Sequence, residues 1–501
     1  MSDFSSSSAF EKKTLVGVWS IPGQRRKCYG TLHFELDGEQ KLSIIGDLGD
    51  FDYSHFSRLP EFDVIHGACR EDGEIKCVTI FDAKYSRRST PHIYGDMLSE
   101  SDITFQDVWI GAGYYDKRED IVFSAFSFGL NNLEIWLDTP NLFSANYDSD
   151  SHKISAEMTI PPPIEFFSDE NVTISVAYWN QGPGLGVGQT ESTIRCVPHI
   201  FISAKNGSMP YYGDEGSFEY YFLMIFQLFQ LMFLGQTFFF YMRGHLSLSA
   251  LSGKKIPLLF QEELLFARDV TLKQRTKFFL PNNVLFPYQS IKNNLSELIL
   301  NFQQYYKRLR VILDSALSSF CATSHGMDSL PLLLFSMEGL QRIFYHSLGE
   351  GNSEENTVEY SSFNSMRDQI VQCCKTKEQK NFVKREVSWK KPFRDRLWAI
   401  LHDQKDVFPF LNDNICNSLT NDLKKIRNDA AHSDEREFCQ KLPPLYRGQL
   451  FFVQFLHVAI ILRACGLSND FLKKRFENFY NFQFREMSAI LRNHYGSTKA
   501  E

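Results

Sequence analysis

KTLVGVWSIPGQRRKCYGTLHFEL, residues 13–36, reads as two short strands joined through Pro22 and Gly23. Further strand-like segments follow: KLSIIGDL (41–48), EIKCVTIFDA (74–83), DITFQDVWIGAGYY (102–115), IVFSAFSFG (121–129), VTISVAYW (172–179) and IRCVPHIFISA (194–204). Gly, Asp, Asn and Pro clusters separate them at roughly regular intervals, which predicts an antiparallel sheet, sandwich-like or barrel-like. From Asn293 the texture changes. Glycine thins out, and amphipathic stretches take over at 293–322, 327–348, 362–386, 392–403, 412–432, 447–465 and 469–493. In the fifth of these, Ile415, Leu419, Leu423, Ile426 and Ala430 recur at helical steps. The fold class is therefore α+β in two domains: a β-rich, antiparallel sandwich-like domain over 13–290 and an all-α bundle over 291–495. A disordered N-terminus is expected at 1–12, a flexible polar loop at 349–362, and no internal repeat is visible.

The chain has 501 residues, enough for more than one core, and its 43% apolar and 23% charged composition is that of a globular protein. A net charge of −7 argues against bulk nucleic-acid packaging, but it conceals an asymmetry. Residues 1–290 carry 24 Lys and Arg against 36 Asp and Glu, a balance of −12, whereas 291–501 carry 29 against 24, a balance of +5. The two halves should meet different partners. The ten cysteines show no C-x-x-C spacing, so neither a zinc site nor a disulfide framework is read from them, and no cofactor or metal is expected. MSDFSSSSAF lacks the features of a secretory signal, and reduced thiols in a cytoplasmic protein are the expectation. The uncharged run Tyr220 to Met242 is long enough to cross a bilayer. Gln227, Gln230, Gln236 and Gly235 interrupt it, so it reads as a buried helix, a glycine stop and a strand, with no membrane partner.

Three motifs bear on function. QGPGLGVGQ (181–189) has the glycines of a phosphate-cradling loop, but a strand follows it where the dinucleotide fingerprint needs a helix, so it reads as a hairpin loop. The second motif, 375–396, carries Lys375, Lys377, Lys380, Lys384, Arg385, Lys390, Lys391, Arg394 and Arg396, interleaved with Phe382, Trp389, Phe393 and Trp398. Cations neutralise phosphates and aromatic faces stack on unpaired bases, so RNA or DNA contact is one reading. A solvated helix face with its aromatics in the core is the other. The third is RNDAAH, Arg427 to His432, directly after Lys424 and Lys425. Imidazole can take the proton of a ribose 2′-hydroxyl or give one to a leaving oxygen, and guanidinium can hold the charge developing on phosphorus. An Arg-to-His interval also arises by chance. Arg87 to His92 has the same spacing, in a loop with Pro91, and Arg396 to His402 is one longer and remains a competitor. Arg427 and His432 stand about 140° apart on an ideal helix. That is awkward for one copy unless the helix ends before His432 or two subunits pair their motifs.

Arg427, Asn428 and His432, near the end of a long helix in an all-α region, resemble the R-x(4–6)-H motif of HEPN ribonucleases. LPLLLFSMEGLQRIF (330–344) resembles a helix of their ApeA-like branch. LVGVWSIPGQRRKCYGTLHFEL (15–36), VIHGACREDGEIKCVTIFDA (64–83) and NNLEIWL (131–137) resemble the ApeA N-terminal domain, so nearly the whole chain is covered. The resemblance implies an anti-phage, abortive-infection endoribonuclease that cuts RNA without metal, leaving 2′,3′-cyclic phosphate and 5′-hydroxyl ends. His432 would be the acid/base, Arg427 would stabilise the scissile phosphate and Asn428 would position one of them. Lys424, Lys425, Lys390, Lys391, Arg394 and Arg396 would contact substrate, with transfer RNA as a target. It also implies a homodimer or higher homo-oligomer through the HEPN domain and an N-terminal domain that senses a phage-derived trigger or holds the nuclease inactive. Two alternatives stay open: a non-catalytic RNA- or protein-binding HEPN module, and a membrane-acting effector using 220–242.

Overall fold

The computed structural model describes residues 13–34, 40–48, 61–71, 73–89, 92–93, 96–97, 100–111, 113–138, 142–150, 153–181, 195–234, 237, 239–247, 259–266, 284–321, 329–345, 358–374, 376, 379–380, 393–432, 444–478 and 482–496. The expected disordered segment 1–12, the glycine-rich loop beyond Gln181, Gly235, and Lys390 and Lys391 lie outside these residues. So does 349–357 of the expected acidic loop, whose remainder is helical. The chain divides into two compact units. One comprises Met1–Gln230, Gln236–Pro281 and Phe286–Ser296; the other comprises Leu231–Gly235, Asn282–Leu285 and Glu297–Glu501.

In the first unit, β1 (Lys13–Ser20), β2 (Lys27–Phe34), β3 (Gln40–Ile45), β4 (Glu61–Glu71) and β5 (Glu74–Ser89) come first. The small hairpin of β6 (His92–Ile93) and β7 (Asp96–Met97) follows, then β8 (Glu100–Thr104) and β9 (Asp107–Gly111). β8 pairs antiparallel with both β3 and β5, so β5, β4, β1, β2, β3 and β8 close into a barrel. Closure settles the choice between sandwich-like and barrel-like in favour of the barrel for this part, within the α+β class expected. Alternation makes it possible. Along β2, Cys28, Gly30, Leu32 and Phe34 face inward while Lys27 and Tyr29 face out. Trp19, Leu32, Leu42, Ile65 and Ile80 fill the interior together with Phe34 and Ile44. Gly67 is required there, since a Cβ at that position would lie 2.3 Å from a ring carbon of Trp19.

β5 continues past the barrel. Its Cys77–Phe81 stretch pairs with β9, while Lys84–Ser89 pairs with β8. Through β9 the sheet runs on. After β10 (Val122–Phe123) and β11 (Ala125–Leu130) come α1 (Leu133–Leu137) and the hairpin of β12 (Phe143–Asp148) and β13 (Lys153–Met158). The remaining strands are β14 (Ile164–Ser168), β15 (Val172–Gln181), β16 (Arg195–Ala204), β17 (Met209–Pro210), β18 (Phe239–Ser247) and β19 (Leu259–Phe266). The order from β9 is β19, β18, β11, β16, β15, β14. Between β17 and β18 lies α2 (Phe218–Met232), the buried helix expected from the uncharged run. At 15 residues it falls short of the roughly 20 that span a bilayer. It covers one face of the sheet, with Phe218 and Phe222 against Phe126, and Phe222 and Phe226 against Phe239. Burying each such ring stabilises the unit by roughly 1.5–3 kcal/mol.

The second unit is helical. After α3 (Tyr288–Ile291), which belongs to the first unit, come α4 (Leu295–Cys321), α5 (Ser329–Phe344), α6 (Val358–Cys373), α7 (Phe393–Asp403), α8 (Asp413–His432), α9 (Pro444–Ala464), α10 (Asn469–Asn478) and α11 (Phe482–Tyr495). The amphipathic stretch at 469–493 is thus two helices. α9 is buried on all sides from Gly448 to Leu462, which makes it the central helix around which α5, α10 and α11 pack. It is also the one helix among the described residues long and apolar enough to cross a bilayer, and 83% of its apolar window is buried. Cys28, Cys69, Cys77, Cys196, Cys373, Cys374, Cys416 and Cys465 are free thiols.

Candidate functional site

The site grows from α8. Asn412 caps the helix by accepting the Ile415 N–H at 2.9 Å. Ile415, Cys416, Leu419, Thr420 and Leu423 bury one face. Lys424 and Lys425 are exposed, and Arg427 and Asn428 are half-buried. The helix continues to His432, so Arg427 and His432 remain on one unbroken helix, about 140° apart around it. The side chain of His432 lies outside the described residues.

α5 and α7 box in Arg427. On α5, Phe335, Glu338 and Arg342 fall at i, i+3 and i+7, one helical face. The rotation of α5 is fixed from its other side. Ser336 is buried and hydrogen-bonded to Nε2 of His457 on α9, whose Nδ1 lies 2.7 Å from the carbonyl of Val453. Complete burial lowers the pKa of His457 to about 4, so this imidazole is neutral. Arg427 Nη2 lies 3.0 Å from Oε1 of Glu338, and its Nη1 donates to Asn428 Oδ1 at 3.3 Å. Its guanidinium carbon stands 5.4 Å from the Phe335 ring centroid and 5.6 Å from that of Phe393, at the start of α7. Cation–π contacts of this kind contribute about 0.5–2 kcal/mol each. Among the described residues the buried Nε of Arg427 has no hydrogen-bond partner.

Arg396 completes the cluster. Its Nη1 donates to Oε1 of Gln341 at 2.7 Å, and its Nε too is buried without a hydrogen-bond partner. Burial pushes its pKa below the usual guanidinium value. Glu338 opposes that shift, and the neighbouring charges of Arg342 and Arg427 add to it. Arg396 thus feels the charges of Glu338, Arg342 and Arg427, of which Glu338 is ion-paired with Arg427.

Of the residues singled out in the sequence, Arg427, Asn428 and Arg396 come together here. Arg394 is engaged elsewhere, donating from Nε to Asn421 Oδ1 at 2.7 Å and from Nη1 to Asp395 Oδ1 at 3.2 Å. Among the interleaved aromatics, Phe393 faces Arg427 and Trp398 stacks near His402, with centroids 4.9 Å apart. His402, the competing histidine, lies 3.8 Å from Asp413 at the opposite end of α8. Asp413 and Arg427 are separated by about 21 Å along the helix, so the Arg396–His402 pair does not converge at Arg427. Phe335, Glu338, Gln341 and Arg342 received no role from the sequence. Their signal is the helical spacing within FSMEGLQR, residues 335–342.

Such an arrangement can hold phosphate oxygens through charge-assisted hydrogen bonds. Among the described residues no group of three or more His, Cys, Asp or Glu side chains could hold a metal ion. No curated protein and no solved structure matches the chain. The family described as ApeA N-terminal domain 1 matches residues 14–302, from β1 into α4. That span is more than half of the sequence, and the chain accordingly belongs to the ApeA N-terminal domain 1 family, which marks it as a protein of anti-phage defence.

Proposed function

We propose that the helical unit is a HEPN-type endoribonuclease and that the chain acts by cutting RNA, with transfer RNA as a target, to halt translation in infected cells. The observation that carries this reading is Arg427 itself, oriented by Asn428 and Glu338, boxed by two aromatic rings and joined by Arg396 in a site with surplus positive charge. In this reading Arg427 holds the non-bridging oxygens of the scissile phosphate as negative charge develops on them. His432 takes the proton from the 2′-hydroxyl or returns one to the leaving 5′-oxygen, so the strand ends as 2′,3′-cyclic phosphate and 5′-hydroxyl. Asn428 positions Arg427.

Because α8 is continuous to His432, the two motif residues of one copy diverge around the helix. This supports a homodimer in which two motifs face one RNA strand, each copy contributing to a shared cleft. Lys424 and Lys425, exposed on the same helix, would contact the backbone, as would Lys390 and Lys391. The β-rich unit, on the acidic half of the chain, would sense a phage-derived trigger or restrain the nuclease. A cytoplasmic location follows from the substrate.

A second reading rests on the Arg427–Glu338 ion pair, which a purely structural arginine would also make. The helical unit would then bind RNA or protein without cutting. Incubation of end-labelled total transfer RNA in EDTA, with wild type and His432→Ala, each with and without lysate from infected cells, separates the two. Cleavage by wild type alone, leaving cyclic phosphate ends, is the expected result. Cleavage by both proteins, or by neither with lysate present, overturns the assignment.

A further inference from the structure

We propose that β12 and β13 form an arm that packs on the outer face of the barrel of a second copy of this chain. The contact is independent of whether the helical unit cuts RNA.

The arm is amphipathic pair by pair. Phe143, Ala145 and Tyr147 of β12 pair across the ribbon with Met158, Ala156 and Ile154 of β13. The intervening Ser144 and Asn146 pair with Glu157 and Ser155. Residues paired directly share a side of the ribbon, so one side is apolar and the other polar. Among the described residues β12 and β13 pair with no other strand, and Pro161, Pro162 and Pro163 offer no N–H to extend a ladder towards β14. A hairpin so isolated is marginally stable in water. Its apolar side is nevertheless open, with Phe143 46% and Tyr147 60% exposed.

The barrel has an apolar face of its own. Val18 on β1 lies beside Tyr29 on β2 and Ala68 on β4, and Val16, two residues back along β1, lies beside Arg70. Val16 is 62% and Tyr29 73% exposed. Both surfaces stay exposed within one chain, so the arm does not cover its own barrel.

Charge identifies the occupant. Residues 14–34, which span most of β1 and β2, contain Arg25, Arg26 and Lys27 and no carboxylate, and Arg70 is exposed on the same face. The arm, residues 142–160, holds Asp148, Asp150 and Glu157 against Lys153 alone. An acidic arm is repelled by an anionic lipid surface and attracted to a basic rim. Two-stranded ribbons twist strongly, which lets the apolar side curve around a convex barrel. One such side is too small for a stable interface, so the two copies exchange arms about a two-fold axis and make the contact twice.

The test links the arm of one full-length chain to the barrel of another. Tyr147→Cys and Tyr29→Cys chains with different tags are co-expressed and treated with a short bis-maleimide. Each variant co-expressed with wild type controls for native thiols, and thermal unfolding checks folding. Cross-linked product bearing both tags is expected from the mixed pair alone. Adding Asp150→Lys and Glu157→Lys to the arm chain should reduce its yield about tenfold, and Arg25→Glu with Arg70→Glu in the barrel chain should restore most of it. A yield no higher than in the controls overturns the second copy as occupant. Flotation of wild type but not Tyr147→Asp on phosphatidylcholine vesicles would then reassign the arm to a lipid surface. Charge reversals that leave the yield unchanged overturn the assignment as well.

Discussion

Each unit contains an arginine wedged between aromatic faces and paired with carboxylate, and the two are balanced in opposite ways. In the β-rich unit Arg118 pairs with both Asp82 and Asp107, each at 2.6 Å, and stands over the rings of Phe81 and Tyr212. Tyr212 donates to Asp107 at 3.1 Å, and Trp109 donates to Tyr212 at 3.0 Å. Burial works against the charge on Arg118, but the two carboxylates more than offset it and its pKa is raised. Two carboxylates per guanidinium leave nothing for an added anion. In the helical unit Arg427 has one carboxylate, Glu338, at 3.0 Å, and burial together with the neighbouring charges of Arg342 and Arg427 lowers the pKa of Arg396. The same components make a strut in one place and, in the function proposed above, a receptor in the other, and the number of carboxylates paired with the central arginine separates the two.

The largest expected effect lies on the receptor side. His432→Ala should cut RNA cleavage by about 10²–10⁴-fold in the EDTA digest while leaving thermal unfolding unchanged. On the strut side, Arg118→Met leaves Asp107, which is wholly buried, without its cation and should cost about 3–5 kcal/mol in urea unfolding. Arg427→Met should cost less, about 1–2 kcal/mol, because it gives up one ion pair and two cation–π contacts but leaves Arg396 beside Glu338 and removes one mutual repulsion. Equal losses for the two variants would erase the distinction.

Acid should affect both units. Burial holds His199 and His245 in the sheet and His457 in α9 well below an ordinary histidine, at about 3, 4 and 4. The unfolded chain binds protons at these positions that the folded chain refuses, so stability falls as pH drops from about 6.5 towards 4. For His457 alone the loss approaches roughly 3 kcal/mol, readable as a fall in unfolding temperature across that range. The most local effect is at Gly67: Gly67→Ala forces a methyl into Trp19 and should cost about 1–3 kcal/mol, again by urea unfolding.

The change from a β-rich to a helical region was legible because strand and helix leave different periods, and the texture shifts near Asn293. The identity of α2 was legible as well, since three glutamines distinguish a buried helix from a span. Barrel closure was not, because it depends on β5 being long enough to pair with β9 along one half and β8 along the other. No local pattern encodes that. In the site, Arg427 and Asn428 were found from their motif, whereas Glu338 and Phe335 lie some ninety positions earlier and meet Arg427 only through the packing of α5 on α8. Arg394 and Arg396 looked equivalent in sequence. A two-residue step along α7 turns one to Asn421 and the other to Gln341.

The order of strands in the sheet also sets a timetable for synthesis. β9 emerges early, yet its partner β19 pairs Phe266 with Asp107, roughly 160 residues apart. At translation speeds of about 5–20 residues per second, the edge of β9 waits on the order of ten seconds or more for its neighbour. During that interval a ribosome carries a closing barrel with an open flank, vulnerable to pairing with another nascent chain. Every helix from α4 onward, including the arginine site, emerges only after β19. The half read as the effector thus leaves the ribosome only after β19, once the strands of the sheet have been made.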